Sequence, residues 1–170
     1  MRSSRVFAAS VLVLTLLPLQ YAVIARIPLP GVGPDLLVVA VAAIALSRGP
    51  TAGMVFGFAA GLTADLAPPA DHTVGRLALA YALAGYAAGL LSDEADRSTW
   101  LPMAGVGLAA IMAVGLYAGV GALLGDVRIT GSALARSLPS SVLYDVVLTP
   151  FVVPSVAAVS RRLEPDPSRR

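Results

Sequence analysis

The chain has 170 residues, of which 57% are hydrophobic and 13% charged, whereas a typical soluble domain carries about 25% charged residues. Its net charge of +2 is too small for the basic stripe that nucleic-acid binding requires. The chain has no cysteine, which excludes disulfides and thiolate nucleophiles. It has a single histidine, His72, which nearly excludes a catalytic or zinc site built on histidine.

Six hydrophobic runs predict an all-α, polytopic membrane helix bundle in which residues 1–170 form a single domain. The hydrocarbon core of a bilayer is about 30 Å thick and takes about 20 apolar residues as a helix. In chain order the runs cover residues 6–25, 34–47, 50–67, 73–91, 100–125 and 138–160, and a flexible cytoplasmic tail follows at 164–170. The first run is longer than the apolar region of a signal peptide and more spans follow it, so we expect it to be retained.

The topology of the second run stays open. As a helix it spans only about 21 Å at 1.5 Å per residue, which is short for a full crossing. It either crosses by thinning the bilayer or extending into residues 29–33, or it forms with the third run a hairpin that does not fully cross.

The placement of arginines predicts which side of the membrane each end of the chain occupies. With a cytoplasmic N-terminus, six spans place eight arginines inside and four outside, which favours two cytoplasmic termini. The inside set is Arg2, Arg5, Arg48, Arg97, Arg161, Arg162, Arg169 and Arg170, and the outside set is Arg26, Arg76, Arg128 and Arg136.

Glycines at steps of four mark helix faces that can pack closely, because small residues let helices approach one another in lipid. The third run carries Gly53, Gly57 and Gly61, and the next step of four is Asp65. Four residues turn a helix by about 400°, so these positions share one slowly drifting face. The same step recurs in Gly85 with Gly89, Gly115 with Gly119, and Gly121 with Gly125. These repeats predict a compact bundle, the alternative being enrichment by composition alone.

Ionisable residues inside the predicted spans need a reason, because each costs about 2.5–3.5 kcal/mol on insertion scales. Asp65 either contacts another helix or a partner, or is an interfacial carboxylate that reaches water. Asp35 follows Pro34 at a helix start, where the helix dipole favours a carboxylate, so we expect it to cap the helix. Arg48 is expected to anchor the topology.

Asp145 is the most deeply placed charge, and Pro150 and Pro154 are expected to interrupt the backbone hydrogen-bond ladder beyond it. An intramembrane acid beside two prolines can mark a transport pathway. Because no second deep charge is evident in the sequence, we favour a structural or partner contact for Asp145.

Catalysis is not expected. The sequence has no Gly-x-Ser-x-Gly elbow, phosphate loop or His-Glu-x-x-His motif, and no histidine near an intramembrane serine. We therefore predict that the protein is not an enzyme and needs no cofactor or metal.

Several short motifs resemble the family of the rod shape-determining protein MreD, as do the length and the six-span layout. They are Pro34-Asp-Leu-Leu37, Arg48-Gly-Pro50, Gly57-Phe-Ala-Ala-Gly-Leu62, Asp65-Leu66, the loop from Gly75 to Leu79, and Gly85-Tyr86 with Gly89 to Leu91. The resemblance covers nearly the whole chain and is specific between about Pro34 and Leu91.

The resemblance implies a non-catalytic protein of the bacterial cytoplasmic membrane that takes part in cell shape and peptidoglycan synthesis in the lateral wall elongation complex. It implies direct association with the bitopic protein MreC and, through it, with MreB, RodA and a penicillin-binding transpeptidase. It also implies the fold of the S components of energy-coupling vitamin transporters. The matching positions are Asp35, Arg48, Gly57, Gly61 and Asp65, and together with Gly53 and Asp145 they are the candidates for partner contact. We expect the face of Gly53, Gly57, Gly61 and Asp65 to accept the transmembrane helix of MreC.

The alternative is a substrate-binding S component itself, which has the same fold. That family docks its coupling subunit through an Ala-x-x-x-Ala motif in the first helix, and residues 6–25 contain none. Binding of a vitamin would favour this alternative.

Overall fold

The computed structural model describes residues 15–20, 22, 27, 29–68, 73–95, 97–98 and 100–162. The regular structure of these residues is entirely helical, which confirms the all-α prediction. Helix α1 is described over residues 15–20. It is followed by α2 (Leu36–Arg48), α3 (Pro50–Leu66), α4 (Arg76–Gly89), the short α5 (Ser92–Ala95), α6 (Leu101–Leu123) and α7 (Gly131–Arg162). Most of the predicted first span, His72 and the tail at 164–170 lie outside the described residues.

Helix α2 lies at the centre of the bundle. Every residue from Leu36 to Leu46 is buried, and α2 contacts α3, α4, α5, α6 and α7. A helix that is apolar on all sides belongs in an interior, so this run of leucine, valine and alanine explains the position of α2. Gly49 ends the helix with φ +88°, a backbone conformation that favours glycine, and Pro50 then starts α3.

Two described helices are long and apolar enough to cross a membrane: Leu101–Leu123, and Leu134–Val156 within α7. The helices α2, α3 and α4 contain 13, 17 and 14 residues, which is shorter than the roughly 20 that a full crossing takes. The helix lengths therefore do not support six full membrane spans. The boundaries of α2, α3, α4 and α6 lie within about three residues of the predicted runs.

Helix α7 differs most from its prediction. It begins at Gly131 rather than at residue 138. It continues through Pro139, Pro150 and Pro154, so the two prolines beyond Asp145 remove hydrogen bonds from the helix without ending it. All three prolines lie on the exposed side of the helix. They therefore lie largely outside the packed contacts of the bundle, where small local adjustments let a helix continue through proline, as helices in membranes do.

The two sides of α7 have opposite polarity. Its buried side carries Ser141, Asp145 and Thr149, and Asp145 is 0% exposed. Its exposed side carries Leu143, Val147 and Phe151, which are 61%, 56% and 70% exposed. Polar groups thus point into the bundle and large apolar groups point out of it.

Candidate functional site

The glycine face of α3 is occupied within the chain. Gly53, Gly57 and Gly61 are buried, and a Cβ built on each would overlap the carbonyl oxygens of Gly85, Tyr81 and Leu77 in α4. As the numbers rise along α3 they fall along α4, so the two helices pack antiparallel with their backbones in contact. The prediction that this face accepts a partner helix is therefore wrong: α4 fills it. The prediction of close packing by small residues is confirmed for this pair.

Asp65 caps the start of α4 from the end of α3. Its carboxylate is 0% exposed and accepts hydrogen bonds from the backbone amides of Gly75, Leu77 and Ala78, at 2.8, 3.1 and 3.1 Å. The N-cap residue Gly75 has φ +96° and offers no side chain of its own. The first amides of a helix lack partners within the helix, and a carboxylate there is also favoured by the helix dipole. Asp65 thus contacts another helix of its own chain, which confirms the helix contact that was one of its alternatives. The alternative of an interfacial carboxylate that reaches water is wrong, and the buried carboxylate leaves no surface for a partner.

A second polar cluster, which we name the acidic centre, comprises Gln20, Asp35, Tyr81 and Asp145. Asp35 caps α2 as predicted: its Oδ1 accepts hydrogen bonds from the amides of Leu37 and Val38 at 3.1 and 3.3 Å. Its Oδ2 accepts a hydrogen bond from the hydroxyl of Tyr81 in α4.

Asp145 of α7 completes the acidic centre. Its Oδ1 accepts a hydrogen bond of 2.7 Å from the backbone amide of Asp35, while its Oδ2 is buried and has no hydrogen-bond partner among the described residues. Gln20 of α1 closes the other side, because its side-chain amide donates to the carbonyl of Pro34 at 2.8 Å and its Oε1 accepts from the amide of Leu36 at 2.9 Å. Four helices therefore meet at two carboxylates, and the expectation that Asp145 has no second acid near it is wrong.

Arg76 forms a third buried contact, which the sequence indicated only as an outside charge. Its side chain is 2% exposed and bonds through Nη1 to Asp126 Oδ2 at 2.9 Å. Its Nε donates to the carbonyl of Tyr117 at 2.7 Å, and the guanidinium lies 3.7 Å from the centre of the Tyr117 ring. The hydrogen bond from Arg76 lowers the pKa of Asp126, helped by the backbone amide of Arg128. A Cβ on Gly121 would overlap this guanidinium, so the step of four from Tyr117 to Gly121 was the signal for the site.

Arg48 lies apart from these clusters. It is the last residue of α2, partly buried, at the opposite end of that helix from Asp35. Its role as a topology anchor stays a prediction. Across the described part of the chain, no three His, Cys, Asp or Glu side chains group as metal ligands would.

Fold and site define a class: an all-helical protein with two helices able to cross a membrane and with buried polar contacts that join its helices. Comparison of the chain with protein-family models, curated proteins and solved structures finds no match.

Proposed function

We propose that this chain is a non-catalytic membrane scaffold of the MreD type, which helps to position wall synthesis in the lateral elongation complex through association with MreC. The observation that carries the proposal is that buried polar side chains join the helices of the bundle to one another. Asp65, Arg76 and Asp35 are each engaged in joining one helix to another. A bundle whose polar side chains are used in this way suits a packing role better than a reaction.

Lipid as the surrounding medium is supported by the polarity of α7. A helix in water would expose Ser141, Asp145 and Thr149 and bury Phe151, and the middle part of α7 does the opposite. In a membrane, ionisable side chains face the bundle interior, as Asp145 does. We extend this to the full proposal of a multi-pass protein of the bacterial cytoplasmic membrane, resembling the S-component fold, with about six membrane segments and both termini in the cytoplasm.

The partner helix needs another surface than the glycine face of α3. Gly115 and Gly119 of α6 lie one step of four apart, both are exposed, and a Cβ on either would meet none of the described residues within 4 Å. Exposed large side chains, Leu108 and Ile111, continue the same side of α6. Because small residues let a second helix approach closely in lipid, we place the contact with the MreC transmembrane helix at Gly115 and Gly119.

The test is recovery of MreC with the tagged chain from detergent-solubilised membranes. Gly115→Leu and Gly119→Leu should each abolish recovery at unchanged protein level, since neither side chain meets its own bundle. Gly131→Leu is the matched control, because it places the same side chain at an equally open glycine outside the apolar segment of α7, and it should retain MreC. Depletion of the chain should convert rods to rounded cells. Normal shape after depletion, with no MreC recovered by the wild type, would refute the proposal.

The vitamin-binding S component is the second candidate. The acidic centre favours it, because bundles often place ligand sites between facing helices and Asp145 Oδ2 lacks a donor there. A ligand that binds the folded protein raises its melting temperature. A thermal-shift screen of purified protein against the water-soluble vitamins decides between the two: stabilisation by one vitamin would replace the scaffold proposal, and no shift would favour it.

A further inference from the structure

The two carboxylates of the acidic centre have unequal surroundings. Asp35 receives three donors, the amides of Leu37 and Val38 and the hydroxyl of Tyr81, and it sits at the N-terminus of α2. Asp145 receives one, the amide of Asp35, and its second oxygen faces no donor although it is fully buried. Donors and a helix N-terminus stabilise a negative charge, so of the two carboxylates Asp35 has the surroundings that support a charge better.

A second negative charge at Asp145 would be costly. An ionised carboxylate loses its hydration on burial and regains stability only through donors or a nearby cation, and Oδ2 has neither in its contacts. The charge of Asp35 acts against it from the adjacent helix end. Among the described residues that bond within the centre, the other titratable group is the phenol of Tyr81 on α4, which donates to Asp35, and residues 15–20 of α1 contribute the neutral amide of Gln20.

We propose that Asp145 Oδ2 is the binding position of one small monovalent cation, a proton or Na⁺, whose arrival neutralises the carboxylate and stabilises the bundle. Asp35 is partly exposed while Asp145 is not, so the cation enters past Asp35. If the cation is a proton, hydronium supplies it: one O–H bond of hydronium breaks, an O–H bond forms on Oδ2, and a neutral water molecule is released. Because α1, α2, α4 and α7 all bond within this centre, its occupancy is coupled to the packing of four helices.

The experiment measures the melting temperature of the purified chain in detergent by circular dichroism. One arm varies pH from about 6 to 9 in choline chloride, a range in which ordinary carboxylates stay ionised. The other arm holds the pH at the upper end and replaces choline by Na⁺ at constant ionic strength. Proton binding predicts that the melting temperature falls with rising pH, by at most about 3–5 °C per pH unit for one proton, without a Na⁺ effect. Sodium binding predicts that Na⁺ restores the stability that choline does not.

Asp145→Asn replaces the acid by a neutral group of the same shape and should remove either response, whereas Asp93→Asn, an exposed acid of α5, should keep it. If Asp145→Asn does not fold, infrared difference spectra of the wild type between the ends of the pH range test for the carbonyl band of a buried protonated carboxyl, and spectra with and without Na⁺ test the other cation. The inference is overturned if the wild type responds to neither cation, or if Asp145→Asn retains the full response.

Discussion

Replacing Gly57 by alanine should destabilise the chain through the contact between α3 and α4. The added Cβ would lie 2.7 Å from the carbonyl carbon of Tyr81, where ordinary contact begins at 3.4 Å. The obstacle is backbone, which cannot rotate away, so the helices must separate locally by at least about 0.7 Å. Overpacking of this kind costs about 1–3 kcal/mol, and alanine returns about 0.5–1 kcal/mol through its better helix propensity.

The net loss of up to about 2.5 kcal/mol should lower the melting temperature of the purified chain by up to about 10 °C. Gly115→Ala is the matched control, because it makes the same change on a helix where a Cβ meets nothing within 4 Å. It retains only the propensity gain, so its melting temperature should stay level or rise by up to about 4 °C. Circular dichroism in one detergent measures both variants.

No partner protein is present in that measurement, so the loss at Gly57 can only come from packing within the chain. If Gly57→Ala melts at or above the temperature of Gly115→Ala, the close antiparallel contact of α3 and α4 is refuted. The glycine face would then be open again to a partner helix.

Three further outcomes follow from the buried and exposed positions. Asp65→Ala should lower the melting temperature more than Asp65→Asn, since alanine leaves three amides of α4 without an acceptor and asparagine still offers one oxygen; equal losses would contradict the cap. The pKa of Asp126 is lowered by Arg76, so its stabilisation holds above the ordinary carboxyl range and is lost as the pH falls below about 4. In Asp126→Asn the melting temperature should fall less between about pH 5 and pH 3 than in the wild type. An equal fall in both proteins would contradict the ion pair. Because the chain has no cysteine, a hydrophilic maleimide applied to opened membranes should modify Val127→Cys far faster than Val147→Cys, although both positions are exposed; equal rates would exclude lipid around α7.

Local patterns predicted the helices well, and they did so for identifiable reasons. Gly49 and Pro50 separate α2 from α3, and Asp35 starts α2, each by conformational preferences that act over one or two residues. The start of α7 was missed for the complementary reason. A run of apolar residues marks the hydrophobic part of a helix and not its polar extension, so the helix begins at Gly131 rather than at residue 138.

The acidic centre could not be predicted, because the pairing of Asp35 with Asp145 joins residues 110 positions apart. Periodicity tells which face of a helix a residue occupies, but it does not tell which helix that face meets. The glycine face of α3 shows the same limit: small residues at steps of four predict a close helix neighbour, and the neighbour can belong to the same chain or to another. Here it is α4, while the open pair Gly115 and Gly119 carries the same motif without a neighbour.

All three buried polar contacts involve α4. They explain how α4, which consists mostly of alanine, leucine and glycine, is fixed in position and rotation within the bundle. Its amides bind Asp65 of α3, its Arg76 binds Asp126 beyond α6, and its Tyr81 binds Asp35 at the start of α2. Lipid gives apolar helices no hydrophobic reason to choose one rotation over another, so directional bonds and glycine contacts must fix the register. Because these bonds lie inside the bundle, a partner that docks on the outer side of α6 leaves them intact. The chain can therefore hold its own shape while a second helix is added, which is what a scaffold requires.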